Sequence, residues 1–356
     1  MRLILLTAQI LLLLGCVNLG PRVMEAGRAQ YNVALQRTDD QQLLLNIVRL
    51  RYRDRPYFLE VSAVATQFNF VQSVGALAAI GSPDIEQDVL ANGSVTVEEQ
   101  PTVTYTPLQG TDFAHQMLTP ISLNELILLS QSGWSIERIL RVAVQRLNGL
   151  ANAPTAAGPT PDNAPAYESF QTASRLLGEL QNRDVVFLGR RHVGDQEKLF
   201  LRFSDAAVST EAHAELLRLL ELEGSAPEYE ITADPPLSAN VIRLQTRSFL
   251  AMMYYLAQSV EISPADWQQG TVTLTRSADD EVFDWSLVTE GLMTIRSSEQ
   301  RPLRSAVEVR YRDRWFYIDD TDLDGKSTFS LLGQLFSLTA DPSGIAGPLL
   351  TLPVGN

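Results

Sequence analysis

The residues best spaced for chemistry are Asp320, Asp322 and Asp324, followed by Gly325. Oxygen ligands at alternate positions and a sharp-turn glycine form the first half of a calcium loop. The second half departs from that pattern, because Leu331 stands at the twelfth position, where a bidentate glutamate would complete the coordination shell. Three carboxylates could still recruit a weak calcium ion, while an acidic turn capping the next helix accounts for the same residues.

A second constellation occurs twice. Leu50-Arg51-Tyr52-Arg53-Asp54-Arg55-Pro56-Tyr57-Phe58 echoes Val309-Arg310-Tyr311-Arg312-Asp313-Arg314-Trp315-Phe316-Tyr317, with an identical Arg-Tyr-Arg-Asp-Arg run ahead of an aromatic strand in each. Arg51, Arg53, Arg55, Arg310, Arg312, Arg314 and Trp315 are thus candidates for a patch that binds an anionic partner, whether lipid headgroup, polysaccharide or protein carboxylate. The competing reading is structural: arginine stems cover apolar surface and their heads pair with the surplus of acids. Pro56 makes the two backbones differ, which argues against a duplicated domain.

No assembled nucleophile, metal cluster or cofactor motif accompanies them. There is no Gly-x-Ser-x-Gly elbow and no Ser-x-x-Lys, and Gly325-Lys326-Ser327 lacks the upstream glycine of a phosphate loop. His115, His192 and His213 fall in different elements. No catalytic residue is assigned, and no cofactor is expected beyond weak calcium. The enzymatic alternative is an envelope glycan or lipid hydrolase using paired carboxylates, with Glu60, Asp319 and Asp320 as candidates; such pairs work only about 5–10 Å apart.

The one cysteine excludes an intramolecular disulfide framework. Its setting is more informative. Arg2 precedes an apolar run from Leu3 to Leu14, whose 12 residues rise about 18 Å as helix and fall short of a bilayer core. That is the anatomy of a signal peptide, and Leu13-Leu14-Gly15-Cys16 resembles the bacterial lipoprotein cleavage box. An ordinary secretory signal with an incidental cysteine is the alternative. The lipoprotein reading predicts removal of residues 1–15 and lipidation of Cys16, which would anchor the chain to the membrane through two or three acyl chains. Val17, where retained lipoproteins carry aspartate, points to the outer membrane and a periplasm-facing body. Forty-two acidic against 28 basic residues give −14, and losing Arg2 leaves a mature chain of 341 residues at −15. That charge opposes binding to nucleic acid or to anionic lipid by the body itself.

The elements that must position these residues follow from periodicity and caps. A helical composition begins at Val23, and Thr38-Asp39-Asp40-Gln41 has capping-box spacing for a new helix carrying Leu43, Leu44, Ile47 and Val48, ended by Pro56. Tyr57 to Val61 reads as a strand. Val95, Val97, Val103 and Tyr105 alternate with polar residues on either side of Glu99-Gln100-Pro101, predicting a hairpin turning there. Ser122-Leu123-Asn124-Glu125 is a second capping box with Ile121 and Leu126 as a hydrophobic staple, and another helix follows from Ser135 through Leu147. Further on, Tyr167 to Leu180 and Ser209 to Leu222 read as helices, and Val185 to Leu188, Leu199 to Phe203, Val241 to Leu244 and Thr271 to Thr275 as strands. Val307 to Tyr311 and Trp315 to Ile318 read as a hairpin turning at Asp313-Arg314, and the acidic loop Asp319 to Ser327 leads into a helix bearing Phe329, Leu332, Leu335 and Phe336.

Strands and helices without regular alternation predict an α+β fold of helical hairpins packed with antiparallel β-hairpins. The expected divisions are the signal peptide at 1–15, an amino-terminal α+β region at 16–148, a Pro/Ala-rich linker or long loop at 149–165, and a carboxy-terminal α+β region at 166–356. Leu43-Leu44-Leu45-Asn46, Val48 to Tyr52, Pro56 to Leu59, Gln145 to Gly149, Val309 to Arg312, Trp315 to Asp319 and Leu352-Pro353-Val354-Gly355 together resemble a group of uncharacterised Gram-negative envelope lipoproteins, across nearly the whole mature chain. That resemblance implies location and brings no reaction with it. The expectation is a non-enzymatic accessory, scaffold or binding component of the envelope, with a protein, glycan or lipid partner.

Overall fold

The computed structural model describes residues 19–78, 89–194, 196–224, 226–235 and 240–339. The signal sequence with Cys16, and Leu352 to Gly355, lie outside the described residues. No described helix is long and apolar enough to cross a membrane. The chain divides into two units: one takes the described residues up to Pro56 and from Thr111 onward, the other Tyr57–Gly110. The fold is mixed helix and sheet with antiparallel hairpins.

The larger unit begins with α1 (Leu19–Arg51), a single helix running through Thr38. The capping-box expectation there is corrected: the Thr38 hydroxyl donates back to the Leu35 carbonyl at 2.8 Å, as helix-interior threonines do, and leaves no helix start. Leu44, Ile47 and Val48 are fully buried on one face of α1. The helix stops before Pro56 is reached. Asp54 N–H donates to the Arg49 carbonyl and Arg53 N–H to the Leu50 carbonyl, a Schellman closure with Arg53 at φ 60 in the place usually held by glycine.

After α2 (Thr111–Leu118), Ser122 caps α3 (Leu123–Gln131) by accepting from Glu125 N–H, while Glu125 reaches back to Ser122 N–H at 2.7 Å. Both halves of the expected capping box are present. Ser135 likewise caps α4 (Ile136–Ala143). The chain then turns extended at Val144 and continues as β3 (Val144–Leu147), so the helix expected to reach Leu147 ends early. Burial of Val144 and Leu147 on either side of a register shift, and pairing to a distant strand, outweigh helical spacing.

Residues 149–165 do not separate two units. They form β4 (Leu150–Ala151) and a short 3-10 turn (Pro154–Ala157), with Asn152, Ala153 and Ala156 buried. What draws this segment in is Arg247, one of the largest fully buried side chains. Its guanidinium donates to the Arg141 carbonyl at 3.0 Å, the Val142 carbonyl at 2.9 Å and the Asn152 carbonyl, and stacks 3.9 Å over the Tyr255 ring. Two of those acceptors end α4, where unpaired carbonyls and the helix dipole favour a cation. The Asn152 side-chain amide donates to the Arg141 and Val144 carbonyls.

The rest builds around one sheet. α5 (Glu168–Asn182), β5 (Val186–Val193), β6 (Gln196–Phe203), α6 (Asp205–Val208), α7 (Glu211–Leu219), β7 (Glu228–Thr232) and β8 (Val241–Thr246) follow in order. The strand order is β4-β3-β8-β7-β6-β5, antiparallel except for the parallel β7–β8 pair. Thr210, one residue beyond the expected Ser209, caps α7. An aliphatic core that includes Leu140, Leu177, Leu201, Ile231, Ile242 and Leu244 lies between this sheet and α3, α4 and α5. α8 (Phe249–Ala257) is buried along most of its length, and α9 (Pro264–Gln268) and α10 (Ser286–Thr289) are short. Thr271 to Thr275 forms no regular strand. A second sheet orders β10 (Val307–Tyr311), β11 (Arg314–Ile318) and β9 (Arg296–Ser298), and α11 (Leu323–Thr339) closes the unit.

The smaller unit is one long hairpin, β1 (Phe58–Ala78) paired antiparallel with β2 (Val89–Leu108). The expected turn at Glu99-Gln100-Pro101 is corrected: these residues lie inside β2, with Pro101 opposite Thr66 and Glu99 opposite Phe68. The alternation about Pro101 belongs to one strand whose partner lies earlier in the chain.

Candidate functional site

The two Arg-Tyr-Arg-Asp runs, far apart in sequence, meet in the larger unit. One arrives at the end of α1 and the other at the β10–β11 turn. Arg312 and Asp313, at φ 46 and 64, form the two-residue loop between paired Tyr311 and Arg314, one residue before the expected turn. Positive φ at both positions is the type I′ geometry that matches strand twist. The second arginine of each run, Arg53 and Arg312, occupies the left-handed region, so the echo extends to backbone conformation although one run ends a helix and the other turns a hairpin.

The runs exchange partners. The Tyr311 hydroxyl donates to the Asp54 carboxylate, and Arg312 Nη2 donates to the same carboxylate at 2.9 Å. The Arg312 guanidinium lies 4.7 Å over the Tyr52 ring, which meets Tyr311 edge-on at 5.7 Å and Phe316 at 6.1 Å. The buried Tyr52 ring carries its hydroxyl to Asp266 Oδ2 at 3.0 Å, and Asp266 in turn accepts from the Ser263 hydroxyl at 2.6 Å. Tyr311 donating to it, followed by Arg312, holds the Asp54 carboxyl below its ordinary value. Burial and the Asp266 contact push the Tyr52 phenol up.

Arg51, Arg53, Arg310 and Arg314 of the expected patch also bond within the protein. Arg51 is buried, donates to the Thr273 carbonyl at 3.2 Å, and is lowered by burial to about 10, which leaves it charged at neutral pH. Arg53 donates to the Thr273 hydroxyl at 2.6 Å and lies 3.9 Å from Asp162. Arg310 pairs with Asp313 and Arg314 with Glu299, both at more than 3 Å. Trp315 sits under Arg301, which is held by the buried Glu308 at 2.6 Å. Arg55 is exposed, and Arg310 is 61% exposed. The structure therefore joins Arg51, Arg53 and Arg312 of the seven residues into a clamp between α1, the β10–β11 hairpin and the segment around Thr273.

The three aspartates of the acidic loop do not converge. Asp320 pairs with Lys326 at 2.7 Å, Asp324 with Arg138 at 2.6 Å, and Asp322 accepts from Gly325 N–H at 2.8 Å at the start of α11. Each answers a different charge or donor. A Cβ on Gly325 would overlap the Asp322 carboxylate, which accounts for the glycine without a metal. No group of three or more potential ligands forms among the described residues. Of the carboxylates considered for hydrolysis, Asp319 accepts from the Thr321 backbone and hydroxyl, Asp320 is paired as above, and Glu60 lies in the hairpin opposite Thr106.

Two features escaped the sequence reading. His213 is buried, its ring 4.6 Å from Phe203, and burial lowers its affinity for protons. A shallow groove outside β5 and β6 is lined by Phe187, Arg190, Arg191, Phe200 and Arg202, with Arg191 stacked 4.5 Å over Phe200 and paired with Glu228 at 2.7 Å. The run Gly189-Arg190-Arg191-His192, beyond the expected strand Val185 to Leu188, was the available signal.

The fold and clamp define an α+β body braced by buried arginines. Comparison with known proteins found no match to a protein family, a curated protein or a solved structure.

Proposed function

We infer that this chain is an outer-membrane lipoprotein, held at the periplasmic face through Cys16 and acting as a non-enzymatic scaffold or binding component of the envelope. The observation that carries the reading is the Arg2, Leu3 to Leu14 and Leu13-Leu14-Gly15-Cys16 succession at the amino terminus. Acyl chains contributing about 0.8 kcal/mol per buried methylene give a body of net charge −15 a hold that its own surface would not.

The clamp supports a structural rather than catalytic use of the arginine runs, since its groups are opposed charges and rings bonded to one another. Arg55 and Arg310 leave positive charge at its solvent side for an anionic envelope partner. Labelling cells with an alkyne-bearing fatty acid is expected to tag the wild-type chain and leave Cys16→Ser untagged; equal tagging of both would overturn the anchor. Arg55→Glu with Arg310→Glu is expected to remove cross-links to envelope components, and an unchanged cross-link pattern would overturn the patch.

A further inference from the structure

The hairpin has the make-up of a membrane strand pair. Its strands hold 21 and 20 residues, and at about 3.3 Å per residue each extends roughly 66 Å. Within the two strands, Glu60, Glu98 and Glu99 are the only charged residues. All three lie outside the half formed by Phe70–Ala78 paired with Val89–Val97, which has neither a charge nor a proline. Nine residues of strand span about 30 Å, and at the 35–45° tilt of barrel strands they match an apolar band about 25 Å tall.

Register assigns that half two unlike faces. Phe70, Gln72, Val74, Ala76 and Ala78 share one with Val97, Val95, Gly93, Ala91 and Val89; Val71, Ser73, Gly75 and Leu77 share the other with Thr96, Ser94, Asn92 and Leu90. The first set is apolar apart from Gln72 and Gly93. The second is mostly small or polar. Apolar residues toward lipid and polar ones toward a lumen, in a two-residue period, are what a barrel wall requires.

The edges point to the occupant. No third strand pairs with β1 or β2 among the described residues. Soluble proteins protect such edges with lysine, proline or bulges, because a long neutral edge is a template for another strand. The half nearest the turn carries no such protection, and an isolated two-stranded ribbon is marginal in water. Lipid also forbids unpaired backbone, so a hairpin entering it must close its edges against identical neighbours.

We propose that copies of this chain pool their hairpins into a closed β-barrel in a lipid bilayer, with Phe70–Ala78 and Val89–Val97 as the spanning segments. Two strands per copy give the even strand number of bacterial barrels, and about eight strands, hence four copies, is the smallest closed form. The proposal rests on the envelope reading for the membrane it meets. Its test does not depend on the anchor.

In the full chain carrying Cys16→Ser, single cysteines placed at each position from Phe70 to Leu77 accept a polarity-sensitive dye, and the protein is added to phosphatidylethanolamine/phosphatidylglycerol vesicles containing nitroxide lipid. Quenching is expected at 70, 72, 74 and 76 and several-fold weaker at 71, 73, 75 and 77, and cross-linking in the same vesicles is expected to give one closed species of at least four copies. Uniformly unquenched dye, quenching without the two-residue period, or cross-linked species no larger than a dimer would overturn the barrel. Alternation in a chain whose native Cys16 proves unlipidated would overturn only the anchor; lipidated Cys16 without alternation would overturn only the barrel.

Discussion

Asp54 shows how a residue unremarkable in sequence becomes central once two distant runs meet. Its carboxylate receives Tyr311 and Arg312 from 257 and 258 positions away. Asp54→Asn is expected to cost about 1–2 kcal/mol at pH 7, a shift of a few degrees in melting temperature. The sign with pH follows from the depressed carboxyl. Its contribution is complete above the unfolded value near 3.9 and is lost as pH falls through the lower folded value, so thermal melts should show wild type and variant converging in acid below the unfolded value. A gap that widened in acid would contradict this. Arg247→Met should cost more, about 2–4 kcal/mol by denaturant unfolding, because the buried Val142 and Asn152 carbonyls lose the guanidinium and the Arg141 carbonyl keeps only the Asn152 amide. The echo itself was legible as residue types. That Tyr52 would answer Asp266, or Tyr311 answer Asp54, was not, since such pairing is set by folding over more than 200 residues and leaves no local period.

At the scale of elements, local chemistry was readable and long-range pairing was not. Ser122 and Glu125 lie three residues apart and form the reciprocal cap their spacing implies; Ser122→Ala is expected to lower stability by about 1 kcal/mol in chemical denaturation, with little change in slope. Thr38 has the same spacing to Gln41 inside a continuing helix, where nothing interrupts the chain to make it a cap. Pro101 misled more: a proline beside alternating valines reads as a turn, but an edge strand tolerates it without loss of a ladder bond. The acidic loop illustrates the limit of motif spacing, since alternate aspartates can serve a helix cap and two ion pairs. With those carboxylates engaged by Lys326, Gly325 N–H and Arg138, millimolar calcium is expected to leave the melting temperature unchanged; a rise of several degrees would show that the ion outcompetes them.

For the whole molecule, composition indicated a folded acidic body, and the setting of the cysteine carries the proposal about its place. The division of the chain was less legible. A proline- and alanine-rich stretch suggested a boundary at 149–165, whereas the structure separates Tyr57–Gly110, whose small and polar residues match a two-faced ribbon better than a domain core. The buried arginines explain the difference, because Arg247 ties Asn152 to the end of α4 and turns a linker-like sequence into interior. Everything proposed about place depends on one covalent bond. The most direct measurement is the intact mass of the chain purified from separated outer membranes. The expected species begins at Cys16 and carries a thioether-linked diacylglyceryl group; a chain cleaved elsewhere, an unmodified Cys16, or recovery only with the inner membrane would contradict the account.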